Sequence, residues 1–429
     1  MSSIALDPRS MMLRKLQTQT IPEICAFFFV MFMTAQVPEV GPLLVVAQMG
    51  LFALLIASRP GECLKALLKW WPLMLTPILA FVSFTWSDLP AVSARYGFQL
   101  LFTAYIGVIL ATLLPPSRFL AMSFLSMFVF CVLSIISQRQ GFAAHGMVLV
   151  GFTGSKNQMA LAGFALMLAA AGTMLDPKQS RLLRLATIPA YPIALYIIAG
   201  AASATAVLIA GVAAPALAAA AFAQRLKPAG RVATILGVLL FLSPIAFIWT
   251  DILEWINRFM IDVLDKDPTL TGRTYLWAHA EALIERRPVF GYGYQAFWLG
   301  GSVDAVGLLR WAEQTDGRQF HFHNTFLQIG VDTGYIGMAA FVVTLIVIGV
   351  MSARQFILTP TVATSYFFVN FIILAMLAMT ELILAPLLPR TMLLYACAVY
   401  AFWSPVKRAA PKPAWTSGSW RNLQPSQRR

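Results

Sequence analysis

Charge is what this sequence has least of. Only 11% of its 429 residues are Asp, Glu, Lys or Arg, against about 25% in soluble domains, and that excludes a soluble globular protein. Cysteine is scarce as well. The four are Cys25, Cys63, Cys131 and Cys397, three of them inside apolar runs and no two at metal-ligand spacing, so they read as free, small core residues. Short segments of alternating polarity, the mark of a transmembrane β-barrel, are missing. No small-residue cleavage site convincingly follows the first apolar run, so no cleavable signal peptide is expected. No internal repeat stands out.

What remains is apolar. Hydrophobic residues make up 59% of the chain, and they gather into runs of roughly 17 to 25 residues, enough to cross ~30 Å of hydrocarbon. The expected fold class is all-α, a polytopic helical membrane protein. Twelve helices are expected near 21–36, 41–58, 69–86, 97–114, 117–137, 158–175, 183–199, 203–223, 232–250, 334–352, 362–379 and 382–403. "AGAASA" (199–204) is a soft break, and one long bent helix over 183–223 is the alternative.

The formal charge of +13 first suggests nucleic acid, but its distribution reports topology. With the N-terminus in the cytoplasm and twelve alternating spans, 20 of the 31 basic residues fall on cytoplasmic segments beside three acids, Asp7, Glu62 and Asp176. This is the positive-inside pattern, and such segments are drawn to anionic lipid. Both termini are expected inside, with no nucleic-acid partner.

Four regions follow: an N-terminal transmembrane bundle of about nine helices (1–250), a large polar loop (251–333), C-terminal transmembrane helices (334–403), and a flexible Pro-, Ser- and Arg-rich tail (404–429). The loop holds most of the acids and three of the four histidines. Its richness in Trp, Tyr and Phe argues against disorder, and loops of this length are usually functional. Within it "TYLWAHAEALIERR" (274–287) reads as an amphipathic helix, with Leu276, Ala280, Leu283 and Ile284 on one face and Pro288 and Gly291 ending it.

Polar groups collect on the outer face: "WSDLPAVSARYG" (86–97) with Arg95, "GFTGSKNQ" (151–158) with Lys156 and Asn157, "TGRTYLW" (271–277) with Arg273, and "HFHN" (321–324). Cations outside the positive-inside pattern mark functional sites. Each also has a plainer account. Arg95 can snorkel from a helix end, Lys156 and Asn157 can begin the following helix, and Arg273 can pair with Asp265 or Asp267. Arg286 suits a helix C-terminus, His145 and His279 read as structural, and Glu381 either ends a helix or faces a cavity.

In combination these pieces are more specific. "GRTYLWAHAEALIERRPVFGYGYQAF" followed by "HFHNTFLQIGVDTGYIG" resembles the Wzy polymerase and O-antigen ligase family of bacterial membrane glycosyltransferases. The matching elements are Arg273 with Leu276 and Trp277, Pro288 with Gly291 and Gly293, His323-Asn324 with Leu327, and Gly334 with Gly337. "WSDLPAVSARYG" places Arg95 at a family position, and "GFTGSKNQMA" looks like the family's Gly-x-x-x-x-Lys/Pro-Asn segment. One departure is that "MVLVGF" (147–152) lacks the arginine that often precedes Gly-Phe, so that Lys156 or Arg139 would have to supply the charge.

The resemblance implies a GT-C-like fold with short helices in the periplasmic loop, and an inner-membrane enzyme facing the periplasm. Its donor would be a saccharide on undecaprenyl diphosphate, and its acceptor a lipid-linked glycan or lipid A core. A flippase and a chain-length regulator would be its partners. His323 would be the general base, with His321 the second choice, and Arg273 and Arg95 would steady the leaving diphosphate. Lys156, Asn157, His321, Asn324 and Arg286 would bind substrate. No metal-ligand cluster is visible in the sequence, so no cofactor and metal-independent chemistry are expected. Near-helical geometry at 321–323 would let only one histidine face the site. A polymerase of exopolysaccharide repeat units ranks first, a ligase second. A transporter ranks last, because the spans carry almost no charge except Arg390.

Overall fold

The computed structural model describes residues 8–143, 146–247, 269–312 and 320–404. His145, Asp265, Asp267, residues 251–268 and the tail beyond 404 lie outside the described residues. The described residues are mostly helical, as the composition demands: α1 (Pro8–Thr34), α2 (Gly41–Ser58), α3 (Pro60–Trp70), α4 (Leu75–Val82), α5 (Pro90–Leu113), α6 (Pro116–Ile136), α7 (Lys156–Leu175), α8 (Arg181–Ala186), α9 (Ala190–Gly200), α10 (Ala204–Ala223) and α11 (Pro228–Phe247) form the first bundle. After it come α12 (Thr269–Arg286), α13 (Ala296–Leu299) and α14 (Val303–Trp311), then α15 (Thr325–Leu358), α16 (Val362–Leu377) and α17 (Pro389–Tyr400). Proline opens several of these helices, where its missing N–H costs nothing and its fixed φ suits the first turn. Among the described residues, seven helical stretches are long and apolar enough to cross a membrane, and three shorter apolar helices accompany them. It is a polytopic all-α membrane protein.

Several expected boundaries move, each for a local reason. The soft break within 183–223 is real: α9 and α10 are separate, and Ala202 sits at φ 50° between them. An additional break before α9 coincides with Pro189. A small hairpin, β1 (Gln140–Ala143) and β2 (Gly146–Leu149), pairs Gln140 with Leu149 where no strand was expected. The helix expected over 334–352 starts earlier, at Thr325, with Asn324 Oδ1 accepting from the Phe326 and Leu327 amides. Gly334 kinks it at φ 66°.

That kink explains the glycine-rich turn. Residues 288–293 lie against it, with the Tyr335 amide donating to the Pro288 carbonyl (2.7 Å), Tyr292 to Val331 (2.9 Å) and Gly293 to Asp332 (2.9 Å). A side chain on Gly334 would collide with the Val289 carbonyl, so the backbones touch only because a glycine is there. On α12 the buried face is the one expected, Leu276, Ala280, Leu283 and Ile284, packed on Phe297, Trp298, Phe322 and Val331 in a small core of its own.

The largest departure is at the end. In place of one helix over 382–403, the chain runs irregularly from 378 to 388 and α17 begins only at Pro389. Pro386 and Pro389 remove donors and disfavour helix before them. Buried irregular backbone needs hydrogen-bond partners inside the protein, and two threonines supply them. Thr325 Oγ1 donates to the Glu381 carbonyl (2.7 Å) and accepts from the Ile383 amide (3.0 Å), while Thr391 Oγ1 bonds Ile383 and Ala385 (2.8–2.9 Å). α17 packs on α5, and α12 on α15, so this irregular segment is carried to the end of the bundle where the histidines lie.

Sidedness can be read with single cysteines, because all four native thiols are buried. A cysteine at Val303, which is 91% exposed, is expected to react with an impermeant maleimide in intact spheroplasts. One at Lys227, exposed between α10 and α11, is expected to react only after lysis. Labelling of Lys227→Cys in intact cells would invert the topology.

Candidate active site

The site is built around Phe322, which is fully buried between the two histidines. Its amide donates to Gln328 Oε1 (3.3 Å) and its carbonyl accepts from Trp277 Nε1 (3.0 Å). Gln328 is itself held by Trp298 Nε1 (3.3 Å) and donates to Asp332 (3.1 Å). With Phe322 clamped at both ends, the flanking histidines have little freedom.

His323 then takes a left-handed backbone conformation, φ 51°, which is uncommon for a residue with a side chain and tends to persist at functional sites. The turn folds its ring onto that of His321, with centroids 4.2 Å apart. The expectation that only one histidine would face the site is therefore wrong: the geometry before Asn324 is not helical, and both rings arrive together.

Their nitrogens are nevertheless committed differently. The His323 amide donates to His321 Nδ1 at 3.1 Å. That nitrogen must carry the lone pair, which leaves the proton of a neutral His321 on Nε2. Burial, the adjoining His323 and the positive charges of Arg390 and Arg273 push the His321 imidazole down to about 3, despite the opposing pull of Glu381, so it stays neutral at physiological pH. His323 Nδ1 faces Glu381 Oε2 at 3.8 Å and is covered by protein without a hydrogen-bond partner. The His323 side chain is 25% exposed, although its Nδ1 is covered.

Glu381 ties the cluster together. Its side chain is 4% exposed, and Oε1 accepts from Arg273 Nη2 at 2.9 Å. Burial alone would raise its carboxyl, but the facing His323 and the charge of Arg273 outweigh it and leave it lowered to about 2. An ionised carboxylate opposite Nδ1 favours the His323 tautomer with its proton on Nδ1 and a free lone pair on Nε2. This is the arrangement by which a buried carboxylate orients a general base.

The other sequence candidates lie around this centre or apart from it. Arg95 is exposed on the second turn of α5, beside the ring of Tyr96. Lys156 and Asn157 open α7, and the next residue, Gln158, accepts from Arg390 Nη1 at 2.8 Å. Arg286 pairs with Asp304 at 2.6 Å, both well exposed. Asn324 caps α15. Arg139 is taken by Glu39 (2.9 Å). Two functional candidates emerge that the sequence did not assign, Glu381 and Arg390. The signals for them were a lone acid between two apolar runs and a charge well inside an expected span.

The expectation of no metal-ligand cluster also changes. His321, His323 and Glu381 bring ligand atoms within 4.8 Å of one another, and two histidines with one carboxylate can hold a transition metal. An ion there would have to compete with Arg273 for the carboxylate and would add charge beside Arg273 and Arg390. The cation already on Glu381 is a guanidinium.

Comparison with known proteins bears on this geometry. Residues 190–342 match the family model described as O-antigen ligase. The matched stretch contains Arg273, His321, His323 and Asn324, whereas Arg95, Lys156, Asn157, Glu381 and Arg390 come from outside it. The chain is also 36% identical over 125 residues to the exopolysaccharide production protein ExoQ of Rhizobium meliloti (strain 1021). The match covers 28% of this chain and 27% of that protein, so the chain spans about a quarter of its curated relative's length. The stretch similar to O-antigen ligase thus brings both histidines and Arg273, and the segments outside it bring Glu381 and Arg390.

Proposed function

We propose that this protein is an inner-membrane glycosyltransferase that joins saccharide units carried on undecaprenyl diphosphate, polymerising an exopolysaccharide on the periplasmic side. The observation that carries this reading is the Arg273–Glu381–His323 constellation, with His321 Nδ1 already occupied. His323 Nε2 takes the proton of the acceptor hydroxyl. The freed oxygen attacks the anomeric carbon of the donor sugar, the bond from that carbon to the diphosphate oxygen breaks, and the diphosphate leaves with the electron pair. Glu381 holds the resulting imidazolium through Nδ1–H. Arg273 Nη2 is committed to Glu381, and its other N–H groups face the charge growing on the leaving group. Arg95 and Lys156 attract the anionic donor to this face, and Asn324 holds the start of α15.

The likeness to an exopolysaccharide production protein supports polymerisation. The family description supports a second reading, transfer of finished glycan to lipid A core, with the same chemistry and a different acceptor. Purified protein incubated with a lipid-linked repeat unit, with and without lipid A core, separates the two. Longer lipid-linked products mean polymerase, glycan on core means ligase, and no product with either acceptor overturns both.

Activity is expected to survive dialysis against EDTA, since guanidinium groups occupy the place where carboxylate-bound Mg²⁺ usually meets substrate phosphates. Loss of activity that Mg²⁺ or Mn²⁺ restores would refute the metal-independent mechanism. Arg273→Lys keeps the charge but not the planar fork. It is expected to slow turnover about ten-fold or more, the loss of one charge-assisted hydrogen bond. Full activity in that variant would reduce Arg273 to a general positive field.

A further inference from the structure

Arg390 has no role in the mechanism above, yet it is an ionised group among apolar helices, where charge is costly and usually functional. Its Nη1 donates to Gln158 Oε1 (2.8 Å) and its Nη2 to the Leu382 carbonyl (3.2 Å). Its Nε is buried without any partner. No carboxylate pairs with it among the described residues, although its charge reaches both Glu381 and His321. The first turns of α7 and α17 meet here, through Gln158 and Arg390. The α7 N-cap, Ser155, makes no side-chain capping bond, and the N-terminus of a helix favours an anion.

Arg390 and Gln158 also line a cavity. It lies between α1, α6, α7, α16 and α17, and its walls are largely apolar, including Phe119, Met127, Leu161 and Leu377. Arg390 and Gln158, hydrogen-bonded to each other, share that lining with Gln36 and Thr153. Beyond Arg390, through Leu382 in the next position of the chain, lies Glu381. A hydrocarbon chamber with an unpaired guanidinium in its wall, one residue from the centre of the site, has the chemistry of an amphiphile's binding place. The occupant has to bring an apolar chain and an anionic head whose far side reaches His323.

We propose that Arg390 and Gln158 bind the diphosphate of the polyprenyl carrier and that the cavity takes the first part of its hydrocarbon chain. Arg390 is thereby the cation that holds the donor, leaving Arg273 for Glu381 and the leaving group. The assignment rests on the donor class in the functional reading, but its test measures binding, not turnover.

The probes are undecaprenyl diphosphate without sugar, inorganic pyrophosphate, and phosphatidylglycerol as a competitor, each titrated against purified full-length protein in nanodiscs. Arg390→Gln is expected to weaken undecaprenyl diphosphate about 10- to 100-fold, the loss of charge-assisted bonds, and to raise KM more than it lowers kcat. Ala165→Phe, which fills the cavity wall, is expected to weaken the lipid while leaving pyrophosphate unchanged. Gel filtration and thermal melting confirm that both variants fold, and Arg390→Lys with partial binding supports the charge assignment if Arg390→Gln proves unstable. Unchanged lipid affinity in Arg390→Gln overturns the proposal. So does displacement of the carrier by phosphatidylglycerol at equal concentration, which would make this a general lipid site. Lipid binding that depends on Arg390 without any glycosyl transfer would sink the functional reading alone.

Discussion

His323→Ala is expected to abolish polymer formation while the protein still inserts and folds. The substitution removes the imidazole whose Nδ1 faces a carboxylate and whose side chain is 25% exposed. A general base contributes about 10²- to 10⁴-fold, so a residual rate of that order is allowed. His321→Ala is expected to be milder. It loses a neutral ring whose Nδ1 accepts the His323 amide, so it relaxes the left-handed turn without removing the base. Initial rates on a purified lipid-linked saccharide give the comparison, with thermal melting to confirm folding. A dead His321→Ala beside a working His323→Ala would move the base to the other ring. Two working variants would make the motif structural and end the mechanism.

Glu381→Gln is expected to be nearly as damaging, by about 10²- to 10⁴-fold, although Glu381 need never touch substrate. The amide keeps the shape but gives up the charge that sets the His323 tautomer and stabilises its imidazolium. Gln is the informative choice because its amide oxygen can still accept from Arg273, whereas truncation would remove the acceptor as well as the charge from a largely buried place. The two substitutions should not add. If Glu381 acts through His323, the double variant should be about as slow as His323→Ala alone, since residues acting as a unit are non-additive. A Glu381→Gln enzyme with near-normal kcat would show the carboxylate to be an anchor for Arg273 and nothing more. Independent, multiplying losses would assign Glu381 a separate task, such as metal binding with the two histidines.

These two residues also show how far local sequence reaches. His323 draws notice in the sequence because it directly precedes Asn324, the pair that carries the family resemblance, at the mouth of a long apolar run. Glu381 is not, because nothing near it in the chain says that it will face a histidine.

Sequence by itself determined the class of protein and the parts with a local physical cause. Low charge and long apolar runs made it a membrane protein, since such runs are stable as helices in hydrocarbon. The 3.6-residue period placed Leu276, Ala280, Leu283 and Ile284 on the buried face of α12, and the glycines of 291–293 and 334 marked where backbones had to bend or touch. Tertiary structure decided what depends on contacts between distant segments. It brought both histidines to the site through a left-handed turn that Gln328 and Trp277 hold in place, and it replaced the start of the last span with irregular backbone. Pro386 and Pro389 forbid a helix there, and Thr325 and Thr391 satisfy the polar groups that the missing helix leaves open. That irregular stretch is what sets Glu381 against Arg273 and His323, and what lets Arg390 reach Gln158. Hydropathy sees an apolar run in both cases, whereas the hydrogen bonds that make the run non-helical come from residues far away in the chain.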